Sequence, residues 1–231
     1  MRLLLSERAV DAVELMDRPD CNPVLLENTY RQFGPVNRLF SGWRGLYRRE
    51  LRPLLATAVW PVSLLDIGCG GGDLATLLAR WAARDGLRLD LTGIDPDPRA
   101  AAFALRRPAR PGVLFRQAHS RDLVAEGRRY DVVISNHVIH HLPPEQLNEL
   151  LSHSEQLATR SVLHNDLRRS PTAFALFSAA ALPFRSSFIR ADGLTSIRRS
   201  YTPAELRAAA PQGWQVELNQ AFHQVLTFRH G

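Results

Sequence analysis

The stretch LLDIGCGGGDL (64–74) constrains this chain more than any other. An apolar run, an acid, four glycines in five positions and a second acid describe a buried strand that turns sharply into a helix. Glycines in such a turn let backbone approach a ligand closely, and three ligand classes use the device. A Walker loop needs Lys-Ser or Lys-Thr after its last glycine; here Asp73-Leu74 follows, and the chain has no lysine at all. A dinucleotide fingerprint wants glycines at relative positions 1, 3 and 6. Counting from Gly68, position 3 is Gly70 but position 6 is Asp73, whose carboxylate would compete with a pyrophosphate for the positive helix end. The turn is built for a ligand without phosphates at that point.

Around the turn, short apolar runs alternate with helix-like stretches. SLLDIG (63–68), RLDLTGID (88–95), GVLFRQA (112–118), YDVVISN (130–136) and RSVLHNDL (160–167) read as strands. Helices are expected over 74–84, 98–106 and 143–157, the last with prolines at its start, where they cost least. This alternation implies a parallel sheet covered on both faces. WQVEL (214–218) and FHQVLTF (222–228) lie three residues apart and suit a terminal antiparallel hairpin. Residues 1–60 carry no strand signal. Thr202 and Glu205 fit a capping box that opens a helix after a long insertion at 170–200.

An acid at the end of the first strand, followed by Gly68, Gly70 and Gly72, resembles motif I of the class I S-adenosylmethionine-dependent methyltransferases. The resemblance implies an α/β, Rossmann-like seven-stranded sheet, mostly parallel with an antiparallel C-terminal hairpin. It also implies helices on both faces and S-adenosyl-L-methionine as cofactor. Residues 1–50 would be a helical cap over a core at 51–231, in which the 170–200 insertion shapes the substrate side. On this reading Asp66, Gly68, Cys69, Gly70 and Gly71 face the methionine and ribose portions of the cofactor, whose positive charge suits nearby acids. Asp95, with Pro96, would hold the ribose hydroxyls. His119 and Ser120 stand where the family often places an Asp beside the adenine. YDVVISNHVIHHL (130–142) matches motif IV and puts Asn136 and His137 at the cofactor.

A narrower resemblance comes from YRQFGPVNRLFSGWRGLYRRELRPLL (30–55), which is similar to the segment before motif I in ubiquinone and menaquinone methyltransferases. Phe33 stands for the family's Tyr and Gly34 for its Asp. The insertion and the HNDLRRSP stretch look like those of small bacterial methyltransferases acting on polyketide-derived phenols or quinones. The implied acceptor is a small apolar aromatic molecule methylated at oxygen or at a ring carbon. Phe33, Trp43, His164, Phe174 and Phe177 are candidates to line its pocket.

Methyl transfer is a direct displacement, so a base matters only if the acceptor must lose a proton. Candidate groups fall at the carboxyl ends of strands four and five, where open parallel sheets bind ligands. His140 is the candidate to face substrate; His141 is open between a catalytic and a packing role. Asp166 either orients a histidine or the acceptor, or caps the strand end. His223 and His230 read as surface residues.

The chain carries a net charge of +6, and all 29 of its basic residues are arginine. A nucleic-acid surface usually mixes lysine and arginine, so arginine alone points to a GC-rich codon bias. Neither a nucleic-acid partner nor a metal is expected, since the two cysteines, Cys21 and Cys69, lack metal-site spacing. Free cysteines, acids among the first 20 residues and no long apolar span suggest a cytoplasmic protein, with a homodimer possible. A non-catalytic cofactor-binding protein and an RNA methyltransferase are the alternatives.

Overall fold

The computed structural model describes residues 5–220 and 222–231. One mixed sheet of seven strands organises them: β1 (Val62–Ile67), β2 (Leu89–Asp95), β3 (Val113–Gln117), β4 (Tyr130–Asn136), β5 (Ala158–Leu167), β6 (Gln215–Asn219) and β7 (His223–Arg229). Their order across the sheet is β3-β2-β1-β4-β5-β7-β6. The first five pair in parallel, whereas β7 runs antiparallel to both β5 and β6. This is the expected sheet, including its terminal hairpin.

The sequence dictates these choices locally. β1 and β4 are nearly continuous apolar runs because both sheet faces are covered. One face packs Leu65, Val133, Val162 and Leu226 against α7 (Pro144–Leu157) and α10 (Pro203–Ala209). The other packs Leu64, Val132, Ile134 and Leu163 against Trp43, Leu46 and the inner face of α4 (Asp73–Arg84). α10 is opened by the expected capping box: Thr202 Oγ1 accepts from Glu205 N and Glu205 Oε2 from Thr202 N. The remaining crossovers use α5 (Pro98–Leu105) and α6 (Ser120–Ala125).

The N-terminal helical layer consists of α1 (Pro23–Phe40), α2 (Trp43–Leu46) and α3 (Arg52–Thr57), the last two joined by a π-helical turn over Tyr47–Leu51. Asn22 caps α1 by accepting from Val24 N and Leu25 N, with Pro23 at the first helical position. The helical run crosses the expected 50/51 boundary without a break. The insertion is two helices, α8 (Pro171–Ala180) and α9 (Ile189–Arg199), packed on each other. Their contact is close because a Cβ on Gly193 would lie 2.3 Å from the Phe177 ring, so only glycine admits it. The Asp192 carboxylate then accepts from Leu15 N and Met16 N, which pins the N-terminal segment to α9. No helix among the described residues is long and apolar enough to cross a membrane.

Candidate functional site

Strand order reverses between β1 and β4, and a ligand crevice is expected at the carboxyl ends there. The glycine turn leaves β1 at that point. Gly68 N and Cys69 N both donate to Ile94 O, and Gly70 N donates to Asp95 Oδ2 at 2.8 Å. Gly68, Gly70 and Gly72 have φ of +69°, +53° and +74°, the left-handed region that glycine reaches without strain. A Cβ on Gly68 would meet Val138 at 2.6 Å, and one on Gly72 the Phe115 ring at 2.5 Å, so both are fixed by packing. At Gly70 nothing lies within 4 Å of an added Cβ. That face of the turn opens into a cavity.

The cavity holds about 670 Å³ and runs from the turn, between the N-terminal layer and the α8–α9 pair, to the ends of β4, β5 and β7. Among the described residues seven acids line it, namely Glu14, Asp17, Asp66, Asp73, Asp95, Asp97 and Asp192, and no arginine does. The field inside therefore favours a cation. Asp66 is the sharpest feature: it is 1% exposed, and neither carboxylate oxygen has a hydrogen-bond partner. Burial, with Asp73 and Asp95 nearby, pushes its pKa well above the usual carboxylate range. An unpartnered buried carboxyl is costly unless a ligand satisfies it, and an ammonium group fits. Asp95 is also raised by burial, while its two oxygens accept from Gly70 N and Asp97 N.

On the far side the wall turns apolar, with Phe33, Phe40, Leu176, Phe177, Ile189 and Ile197. Between the two ends sits a buried charged group. His140 Nδ1 lies 2.6 Å from Asp166 Oδ1, while Asp166 Oδ2 accepts from His140 N at 2.8 Å. Glu14 Oε1 approaches His140 Nε2 at 3.3 Å, an ion pair outside hydrogen-bond alignment. Burial opposes charge on this imidazole, but Asp166 and Glu14 prevail and raise its pKa to about 9. Burial likewise opposes the Asp166 charge, and His140 holds Asp166 down to about 2. His140 is thus an imidazolium at neutral pH, clamped between two carboxylates. His141 Nδ1 pairs with Asp17 at 3.1 Å.

Of the cofactor candidates, Asp66, Gly68, Cys69, Gly70, Asp95, Pro96, Asn136 and His137 line the cavity. Gly71 does not; its carbonyl accepts from Arg107. His119 and Ser120 lie outside it: His119 is exposed, and Ser120 Oγ meets His153 Nδ1 at 3.0 Å. Asn136 reaches the cavity but is committed to neighbours, accepting from Trp43 Nε1 and Asn165 Nδ2 and donating to Asn37 Oδ1.

Of the substrate candidates, Phe33 and Phe177 line the cavity and three others do not. Trp43 is fully buried under the sheet, its indole nitrogen spent on Asn136. His164 is fully buried too, bonded to Ser135 Oγ at 2.7 Å and stacked on Trp214. Phe174 packs with Leu5, Ala173 and Ile197. The alternation along β5 explains His164, since neighbours on a strand point to opposite faces. Sequence reading missed Glu14, Asn37, Asp192 and His223. Expected at the surface, His223 is 5% exposed, because β7 is flanked by β5 and β6 and is no edge strand.

Residues 64–160 match a family described as a methyltransferase domain. Over that stretch the chain carries a methyltransferase domain, similar to those of the S-adenosylmethionine-dependent methyltransferases. S-adenosylmethionine is the cofactor of such a domain, and the unpartnered Asp66 carboxylate beside an open glycine turn fits its cationic amino acid moiety. The chain is 38% identical over 96 residues to a ubiquinone biosynthesis O-methyltransferase of Azorhizobium caulinodans, covering 41% of this chain and 34% of that protein. To the corresponding protein of Cereibacter sphaeroides it is 34% identical over 116 residues, 49% of this chain and 44% of the relative. The match thus spans less than half the length of these curated relatives. Among solved structures, the plantazolicin methyltransferase BpumL with a triazolic desmethylPZN analog and SAH shares the fold at 16% identity. Its TM-score is 0.68, covering 100% of this chain and 98% of that one. Magnesium protoporphyrin IX methyltransferase from Synechocystis PCC 6803, with bound SAH, aligns at TM-score 0.51 and 16% identity over 92% of this chain and 90% of that one.

Proposed function

We propose that this protein transfers the methyl group of S-adenosylmethionine to the oxygen or a ring carbon of a small, apolar aromatic acceptor. The observation that carries the reading is one continuous cavity with two unlike ends. One is acidic and glycine-lined, with an unpaired buried carboxylate; the other is apolar and aromatic. When bound, the cofactor supplies an electrophilic methyl on a sulfonium.

The chain's own residues supply position and dryness. Asp66, whose carboxyl burial pushes up and leaves without a partner, would accept hydrogen bonds from the cofactor's amino group. Asp95, fixed by Gly70 N and Asp97 N, offers its remaining lone pairs to the ribose hydroxyls. Phe33 and Phe177 hold the acceptor ring, and Asp192 closes the site by anchoring Leu15 and Met16. Alignment and exclusion of water account for most of the rate in a reaction of this kind. The Glu14–His140–Asp166 group fixes the wall between the two ends and joins the N-terminal segment to β5.

The test is transfer of a labelled methyl group from S-adenosylmethionine to a panel of phenols, naphthols and quinols. Methylation of at least one ring-bearing member, saturable in both substrates, is expected. Cofactor binding with no transfer to any member contradicts the reading and favours a non-catalytic cofactor-binding protein.

A further inference from the structure

Two histidines at the junction of the cavity's acidic and apolar ends are not used above. His137 follows β4 and His223 opens β7; both line the cavity, as does Phe222 beside the latter. Their Nε2 atoms lie 3.0 Å apart and the rings are stacked at 25°. One Nε2 therefore donates and the other accepts, so the pair shares a proton and is neutral as a unit. Neither Nδ1 is hydrogen-bonded to a described residue, and both side chains line the cavity.

The backbone holds His137 in place at a cost. Its φ is +58°, a left-handed conformation uncommon for a residue with a side chain, and its N–H donates to Asn165 O at 2.9 Å. Backbone strain of this kind persists where surrounding structure enforces it, and it gathers at functional sites. Here it turns the imidazole out of the line of β4 and onto His223.

We infer that the His137–His223 pair is the proton acceptor for a hydroxyl-bearing methyl acceptor, His137 taking the proton and His223 sharing the charge. The inference rests on the transfer reaction proposed above. In the step, an oxygen lone pair of the acceptor forms the C–O bond to the methyl carbon. The C–S bond breaks with its electrons going to sulfur, which becomes a neutral thioether. The acceptor's O–H bond breaks, its electrons stay on oxygen, and the proton lands on His137 Nδ1. The single Nε2 proton between the rings is then shared across the 3.0 Å contact.

Charge supports the assignment. The sulfonium loses its positive charge as the pair gains one, so the net charge of the acid-lined cavity does not change. The groups facing the pair are Asp166 on β5, His140 and His141 after β4, and Glu14 from the N-terminal segment. Asp166 would stabilise the protonated pair. His140, already protonated at neutral pH, has no site to accept a proton. Burial holds His137 down to about 4 and His223 to about 3, so both are free bases at working pH.

The experiment uses the full chain with 2-naphthol as probe acceptor. Single-turnover transfer from S-adenosylmethionine is measured against pH for wild type, His223→Asn, His223→Gln and His137→Gln. The affinity for S-adenosylhomocysteine serves as a folding and cofactor control. The wild-type rate should be flat between about pH 6 and 9, and the variants slower by roughly a hundredfold, the ordinary worth of a placed general base. Their rates should climb with pH as the naphthol ionises by itself, and added imidazole should restore part of the loss, with cofactor affinity unchanged. Wild-type rates in both His223 variants, or a loss confined to cofactor affinity, overturn the inference. If wild type methylates no phenol, the acceptor reading fails first. Long-range proton–nitrogen NMR of the imidazoles then decides the pair separately: a proton shared between the two Nε2 atoms supports it, and independent rings that titrate singly overturn it.

Discussion

Asn37 Nδ2 donates to Asp73 Oδ2 at 2.8 Å, and both side chains are buried. The bond ties α1 to the residue that opens α4 directly after the glycine turn, so the N-terminal layer is fastened to the turn itself. Burial raises the pKa of Asp73, and Asn37 works against that rise. Asn37 Oδ1 accepts from Asn136 Nδ2, and Asn136 in turn meets Asn165, so one chain of amides links turn, cap and sheet. Replacing Asn37 with Leu takes one hydrogen bond from a buried carboxyl, at about 1–3 kcal/mol. Both the denaturation midpoint and the affinity for S-adenosylhomocysteine should fall; a loss of stability with unchanged affinity would separate the cap from the cradle.

Gly70→Val should behave differently. The space beside Gly70 is open, so a side chain there projects into the cavity and not into packed atoms. The left-handed φ of +53° adds strain of about 1–2 kcal/mol, which a domain of this size tolerates. Calorimetry should find a folded variant that has lost cofactor binding, and retained binding would place the ligand elsewhere.

Asp95→Ala removes the acceptor proposed for the ribose and also frees Gly70 N and Asp97 N. Cofactor affinity should drop at least tenfold, corresponding to about 1.4 kcal/mol or more. An affinity unchanged by this substitution would be incompatible with a ribose at that carboxylate.

Stability should also record the His140 clamp. Its folded pKa of about 9 stands above the unfolded value of about 6.5, so its contribution is complete below pH 6.5 and is lost as pH rises through 9. Between those limits the unfolding free energy should fall with a slope approaching about 1.4 kcal/mol per pH unit for one proton. In His140→Gln the slope over this window should flatten. An unchanged slope in the variant would assign the proton to another group.

The sheet was legible because its strands carry long apolar runs and the turn its own chemistry. The 3.6-residue helices between them, the capping box at Thr202 and the final hairpin followed from equally local signals. Asp66 and Asp95 near strand ends and Gly70 in the turn were placeable on the cavity wall for the same reason. What failed were contacts that only tertiary packing creates. Glu14 reaches His140 from 126 residues away, and nothing near it in sequence marks it as a partner. Trp43 and His164 are expected at the acceptor, yet each is fully buried in the core from its own element. His223 reads as a surface residue in the sequence, whereas β7 inserts between β5 and β6 and buries it.

The most direct test of a cationic cofactor held by an otherwise unpaired carboxylate is calorimetric titration of wild type and Asp66→Asn with S-adenosylmethionine, with thermal unfolding of both cofactor-free proteins alongside. Asp66 has its folded pKa raised above the unfolded value, so its ionised form opposes folding as pH rises. The asparagine variant should therefore be at least as stable as wild type at neutral pH while binding the cofactor at least tenfold more weakly. Equal affinity in the two proteins, or no binding by wild type, would contradict the account.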